Sequence, residues 1–310
     1  MKSRMLKLVV GSMIAGGATL ALPATAAEEA ELLYSGRARV YQNLSADSLE
    51  SVSTPDAIKA VTQSNVAPTK IWKVLEHGEK VECLACIPLV SKLLYHEDSR
   101  AREISAWWLR RRIFGVFGEG QVYSSVVATL TDQGQSAERR AYAAEAIGEF
   151  LTKAGVKHVS RAIVEDSDSG VREASVRALE RLNSQGTNGE LGVALGDSSQ
   201  GVRLAALRAA GRVNVFSDVA SIVELIDDSS ELVRRRTAEV LGVMRAGDAV
   251  AGLIALTDPE TEPDASVRAA AVYALGQIGD AEAQPYVQAA RKDDPDKFVR
   301  DAARIALRLL

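Results

Sequence analysis

One rhythm constrains this chain more than any other feature. Val-Arg pairs begin at Val171, Val202, Val233, Val267 and Val299, spaced by 31, 31, 34 and 32 residues. Two upstream segments, with Arg139-Arg140 and Ala101-Arg102 in the same place, fit the register after a longer step of 38 residues. A fixed period of this size belongs to chains that stack one supersecondary unit on its neighbours, because a single unit cannot bury its own apolar face. Counting from each Val, apolar or small residues recur four, seven, eight and eleven positions later, as Ser175, Ala178, Leu179 and Leu182 follow Val171. That spacing is one face of an α-helix. The positions at four and seven are small nearly throughout (Ala143, Ala206, Ala271, Ala303; Ala146, Ala209, Ala274, Ala306), which lets neighbouring helices approach closely. Shorter apolar segments such as "VKHVSRAIV" and "VASIVELI" alternate with these helices, so each unit reads as a helical hairpin. The sequence therefore predicts an all-α solenoid of about seven hairpins.

The rhythm D-x-x-x-x-V-R-x-x-A-x-x-A-L resembles HEAT repeats, in particular the short kind related to bilin (phycocyanobilin) lyase proteins. The resemblance covers most of residues 67–310. It implies an α-α superhelix and a protein-binding scaffold, with a tetrapyrrole lyase-like activity as the alternative. It also implies that the acid and arginine of each unit build a ladder between units. The residues concerned are Asp166/Arg172, Asp197/Arg203, Asp228/Arg234, Glu262/Arg268 and Asp294/Arg300. Read from the residues alone, each acid sits where a helix begins and can accept backbone N–H bonds. Nucleophile–base arrangements do not repeat at fixed register, so these residues read as structural and not catalytic. The register also has the chain stop on the first helix of a hairpin, leaving Leu309-Leu310 at an open edge.

The segment before the array divides in two. Residues 1–26 carry Lys2, Arg4 and Lys7, then an apolar run from Leu8 to Leu22, then Ala24-Thr25-Ala26. This is the layout of a secretory signal peptide cleaved near Ala26, and it predicts an exported, periplasmic or secreted protein. Residues 27–66 read as an extension or linker with short helices, Thr54-Pro55-Asp56 opening one of them. Without the leader the chain holds 34 Lys+Arg against 41 Asp+Glu, about −7, which argues against nucleic acid as a partner. No later run is long enough to span a membrane.

Chemistry is sparse. The three histidines lie apart without metal-ligand spacing, and no G-x-S-x-G, P-loop or H-E-x-x-H occurs, so neither catalytic residues nor a cofactor or metal are expected. The expected partner is a protein. The alternatives are a tetrapyrrole lyase-like or thiol-handling protein, and a structural envelope component.

Two places break the pattern. Cys83 and Cys86 form a C-x-x-C at the start of the array. In an oxidising compartment this favours a local disulfide over metal or redox chemistry, since the residue after Cys86 is Ile87 and a βαβ setting is missing. Downstream, "WWLRRRIFGVF" places Trp108 where other units have Ala, and Arg112 where they have Leu182, Val213 or Ile278. Two readings compete there. In one, the aromatics pack as a cap against the N-terminal extension. In the other, Trp107, Arg110, Arg111, Arg112, Phe114 and Phe117 form an exposed aromatic–arginine patch suited to a partner.

Overall fold

A computed structural model describes residues 53–113, 120–184, 186–213 and 216–310, and every regular element among them is helical. Phe114 and Phe117, the leader and most of the extension lie outside the described residues. The first four helices are α1 (Pro55–Val61), α2 (Pro68–His77), α3 (Ile87–Lys92) and α4 (Ser99–Ile113). Six hairpins follow: α5 (Gln121–Thr131) with α6 (Ala137–Phe150), α7 (Val156–Glu165) with α8 (Ser169–Leu182), α9 (Asn188–Leu195) with α10 (Gln200–Ala210), α11 (Val219–Val223) with α12 (Glu231–Met244), α13 (Val250–Ala255) with α14 (Ala265–Ile278), and α15 (Gln284–Asp293) with α16 (Lys297–Ala306). The expected all-α solenoid is what is observed.

The phase of the hairpins differs from the sequence expectation. The Val-Arg helix closes each hairpin and does not open it: it packs on the helix before it far more than on the one after. The physical reason lies in the connections. Between α7 and α8 only residues 166–168 intervene, enough for a tight antiparallel turn, and Asp168 starts the new helix by accepting the N–H groups of Gly170 and Val171 at 2.9 and 3.1 Å. Consequently α16 completes the last hairpin by packing on α15, and the chain does not stop on a first helix.

The Val-Arg helices stack on one another as one layer and the shorter helices as a second. The small residues set the spacing. A Cβ added at Gly148 would stand 2.8 Å from the Ala178 Cα, and the same approach recurs at Gly242 against Ala274 and at Gly276 against Ala306. At these three positions only glycine admits the alanine of the next helix. Each unit also buries its Val completely, at Val171, Val202, Val233, Val267 and Val299.

At the N-terminal end the core reaches back beyond the repeats. Thr54 caps α1 by accepting the Ala57 N–H at 3.1 Å, and Ile58 and Val61 of that helix are buried. The helix α2 packs on α4, so it occupies the Val-Arg layer without carrying the motif.

Candidate functional site

The acid–arginine pairs act between units. Arg172 binds both carboxylate oxygens of Asp197 at 2.6 and 2.9 Å, while its remaining N–H groups donate to the carbonyls of Asp166 and Ser167. Arg140 holds Asp166 in the same bidentate way, Arg234 holds Glu262, and Arg268 holds Asp294. Arg203 Nε lies 2.7 Å from Asp228. Arg300 repeats the carbonyl contacts, to Asp294 and Pro295. Each acid is not the helix cap itself. It stands two residues earlier and accepts the N–H of the capping residue, as Asp197 does from Ser199 at 2.8 Å. Burial pushes the Asp166 carboxyl up, but hydrogen bonds from Arg140 and the Asp168 N–H bring it below its ordinary value. Asp197 behaves likewise through Arg172 and Ser199. These groups are consumed by structure.

The aromatic–arginine segment divides between the two expectations. Trp108 is fully buried and donates its indole N–H to the Gly78 carbonyl at 2.9 Å. Ile58 of α1 packs over the same glycine. Arg112, expected on an accessible patch, is instead buried. Its guanidinium lies 3.5 Å from the Trp108 ring and donates to the carbonyls of Trp108, Glu79 and Val81 at 2.6, 2.8 and 2.7 Å. The reason is the irregular α2–α3 connection, whose carbonyls have no helical partner and would be orphaned inside the protein. Burial, then the neighbouring Arg111, lower the Arg112 pKa to about 10. Trp107 and Arg110 are half-buried, and Arg111 is exposed but paired with Glu79 at 2.6 Å. The cap therefore holds Trp108 and Arg112. Among the described residues of the candidate patch, Arg111 and the edges of Trp107 and Arg110 remain open.

Cys83 and Cys86 have sulfurs 2.05 Å apart, at disulfide-bond distance, in the turn that enters α3.

A second surface went unread in the sequence. Six and ten residues after each Val, one helical turn apart, the Val-Arg helices present an outward ridge. In chain order its pairs are Trp107/Arg111, Glu145/Glu149, Arg177/Arg181, Arg208/Arg212, Glu239/Val243, Tyr273/Gln277 and Ile305/Leu309. The helices α4, α6, α8 and α10 border a cleft of about 350 Å³, whose lining includes Arg102, Tyr142, Glu149, Arg181, Arg208 and Arg212. Arg102 joins it because it leaves the ladder: it pairs with Glu145 at 2.8 Å and stacks 3.8 Å over the Tyr142 ring. Below the central arginines lie their acids. Arg208 and Arg212 share Glu180, whose side chain is 9% exposed against 39% and 69% for the two arginines. Arg181 pairs with Glu149, whose carboxyl is raised by burial. The outermost polar layer is thus guanidinium. Further on the ridge turns apolar, with Val243, Tyr273, Ile305 and Leu309 exposed. The signal was present in the sequence as two outward register positions that vary while the packing and arginine positions hold their character.

The family model described as HEAT repeats matches residues 219–308. Solved structures agree. The YibA protein of Escherichia coli superposes with a TM-score of 0.56 at 18% identity, covering 86% of this chain and 100% of its own. Kap95p, in its complex with RanGDP, gives 0.57 at 12% identity over 92% of this chain and 43% of its own. Residues 219–308 thus match HEAT repeats, and the chain shares the α-solenoid fold of these structures. The CpcE–CpcF phycocyanin lyase complex from Nostoc reaches 0.39 at 19% identity, covering 72% of this chain and 94% of that one. No curated protein matches the sequence.

Proposed function

We propose that this HEAT-like solenoid is a scaffold outside the cytoplasm that binds a protein partner, non-enzymatically, along the ridge of its Val-Arg helices. Export rests on the leader pattern of residues 1–26. The observation that carries the ridge is the contrast within each helix. The Val and the positions four, seven, eight and eleven residues later are set by packing and the arginine by the ladder, while the positions six and ten residues after the Val change character from unit to unit. Surfaces under packing constraint repeat; a surface shaped for one partner does not. The guanidinium layer at Arg177, Arg181, Arg208 and Arg212 suits carboxylates, which arginine binds bidentately. The apolar stretch from Val243 to Leu309 supplies the desolvated area that most interfaces need.

Crosslinking and mass spectrometry on the protein in its native compartment test this. Crosslinks should fall on the exposed ridge, and Arg177→Glu with Arg208→Glu should abolish the main partner at unchanged melting temperature. If Arg110→Glu with Arg111→Glu removes the partner and the ridge pair does not, the aromatic–arginine segment is the interface instead.

A further inference from the structure

We propose that Cys83 and Cys86 form a thiol–disulfide exchange site for peptide or protein substrates that carry two thiols, with Cys83 the sulfur attacked and Cys86 the sulfur released. This does not depend on the ridge reading.

A staple alone explains the pair poorly. The bridge closes a loop with a sequence separation of 3. So short a ring removes little entropy from the unfolded chain. The turn is also held without it, since Arg112 already binds the carbonyls of Glu79 and Val81, and Trp108 that of Gly78.

The two sulfurs differ in ways that exchange requires. Cys86 is fully buried, whereas Cys83 is partly open. Cys83 lines a cleft of about 350 Å³ together with Glu79, Lys80, Glu82, Arg111 and Arg112. Leu84 beside it is 62% exposed, so a substrate chain can reach the turn. An external thiolate therefore meets Cys83 and not Cys86. The lining has three cations against two carboxylates, and with Arg111 and Glu79 paired at 2.6 Å, Lys80 and Arg112 stand against Glu82 alone. A cationic surrounding favours Cys83 as thiolate once reduced. Burial favours Cys86 as thiol. Its sulfur stands 3.6 Å from the Pro55 carbonyl oxygen, ready to donate an S–H there in the reduced form.

The sequence of steps follows. A substrate thiolate attacks the Cys83 sulfur and forms a mixed disulfide; the Cys83–Cys86 bond breaks, and Cys86 takes the electron pair and a proton. The second substrate thiolate then attacks the substrate sulfur of the mixed disulfide and expels Cys83 as thiolate. The substrate dithiol has become a disulfide, and its two electrons reside on the Cys83/Cys86 pair. The reverse sequence reduces a substrate disulfide.

The test uses the full chain. Reduced Cys86→Ser, given glutathione disulfide, should take up one glutathione on Cys83, measured by intact mass and peptide mapping. Cys83→Ser should react on Cys86 more slowly by about tenfold or more, as expected for a buried sulfur that is poorly ionised. Lys80→Gln and Arg111→Gln should slow modification of Cys83 and move its pH midpoint upward while the melting temperature stays put. If a serine variant fails to fold, iodoacetamide labelling of the reduced native chain should mark Cys83 before Cys86. Equal labelling of the two cysteines overturns the proposal. So does a native disulfide that resists dithiothreitol for as long as the chain stays folded.

Discussion

The two ends of the array satisfy the same polar requirement by different means. From α8 to α16, the turn before each Val-Arg helix is held by an arginine of that helix and by an acid that the previous unit's arginine grips from outside. The turn before α4 keeps Arg102 on the carbonyls of His96 and Glu97 without a gripped acid, and the α2–α3 connection before it is irregular. This longer connection, with 3-10 turns at Gly78–Lys80 and Leu84–Cys86, leaves carbonyls that a single arginine, Arg112, and a single tryptophan, Trp108, collect. Distributed contacts tolerate loss of one member; concentrated ones do not. The irregular end should therefore be the more brittle region.

The largest expected effect tests this. Trp108→Ala removes a fully buried ring and the Gly78 hydrogen bond, and should cost about 3–5 kcal/mol, read as a drop in the urea midpoint. Residues 53–113 should lose hydrogen-exchange protection before α12 to α16 do. If both halves open together, the comparison is wrong.

Within the regular end, burial grades the ladder. Arg268→Ala leaves Asp294 buried without its counter-ion, at a cost of about 3–5 kcal/mol. Arg203→Ala should cost less, because Arg203 and Asp228 are less enclosed, and it should leave partner binding intact. Arg300→Ala should cost least, since that arginine's hydrogen bonds run to carbonyls alone. An equal loss at all three would show that the ladder acts as one unit.

The ladder also predicts an acid limb. Asp166 and Asp197 have folded-state pKa values below their ordinary ones, so their contribution is fully present above the unfolded-state value near about 3.9 and is lost as pH falls through the folded-state values. The urea midpoint should drop in that range, and Asp166→Asn or Asp197→Asn should flatten the drop. An unchanged slope in both variants would remove the ion pairs as its cause.

The smallest effect is a gain. Arg245 ends α12 at φ 52°, a left-handed conformation that costs a side-chain-bearing residue about 1 kcal/mol. Arg245→Gly should raise the melting temperature by about 2–4 °C per kcal/mol recovered. Gly279, in the same place after α14, already has that freedom.

Much of this protein was legible in the sequence because its constraints are local and repeated. The Val-Arg period, the small residues at four and seven, and the arginine ladder each recur often enough for packing geometry to follow from spacing. The hairpin phase did not follow, because two alternating apolar segments look alike until the length of each connection decides which neighbours pair. Arg112 was misjudged for a related reason. Nothing local says that a distant connection, some thirty residues earlier, leaves carbonyls that a buried guanidinium must satisfy. The ridge lay in view as the variable register positions, yet only stacking showed that they face one side together, with Glu180 beneath Arg208 and Arg212.

The sequence by itself determined the helices and their repeat, since each depends on neighbours within one or two turns. Tertiary structure alone decided which charges are spent inside the protein and which remain outside. That outcome depends on desolvation, and desolvation is a property of everything packed around a residue.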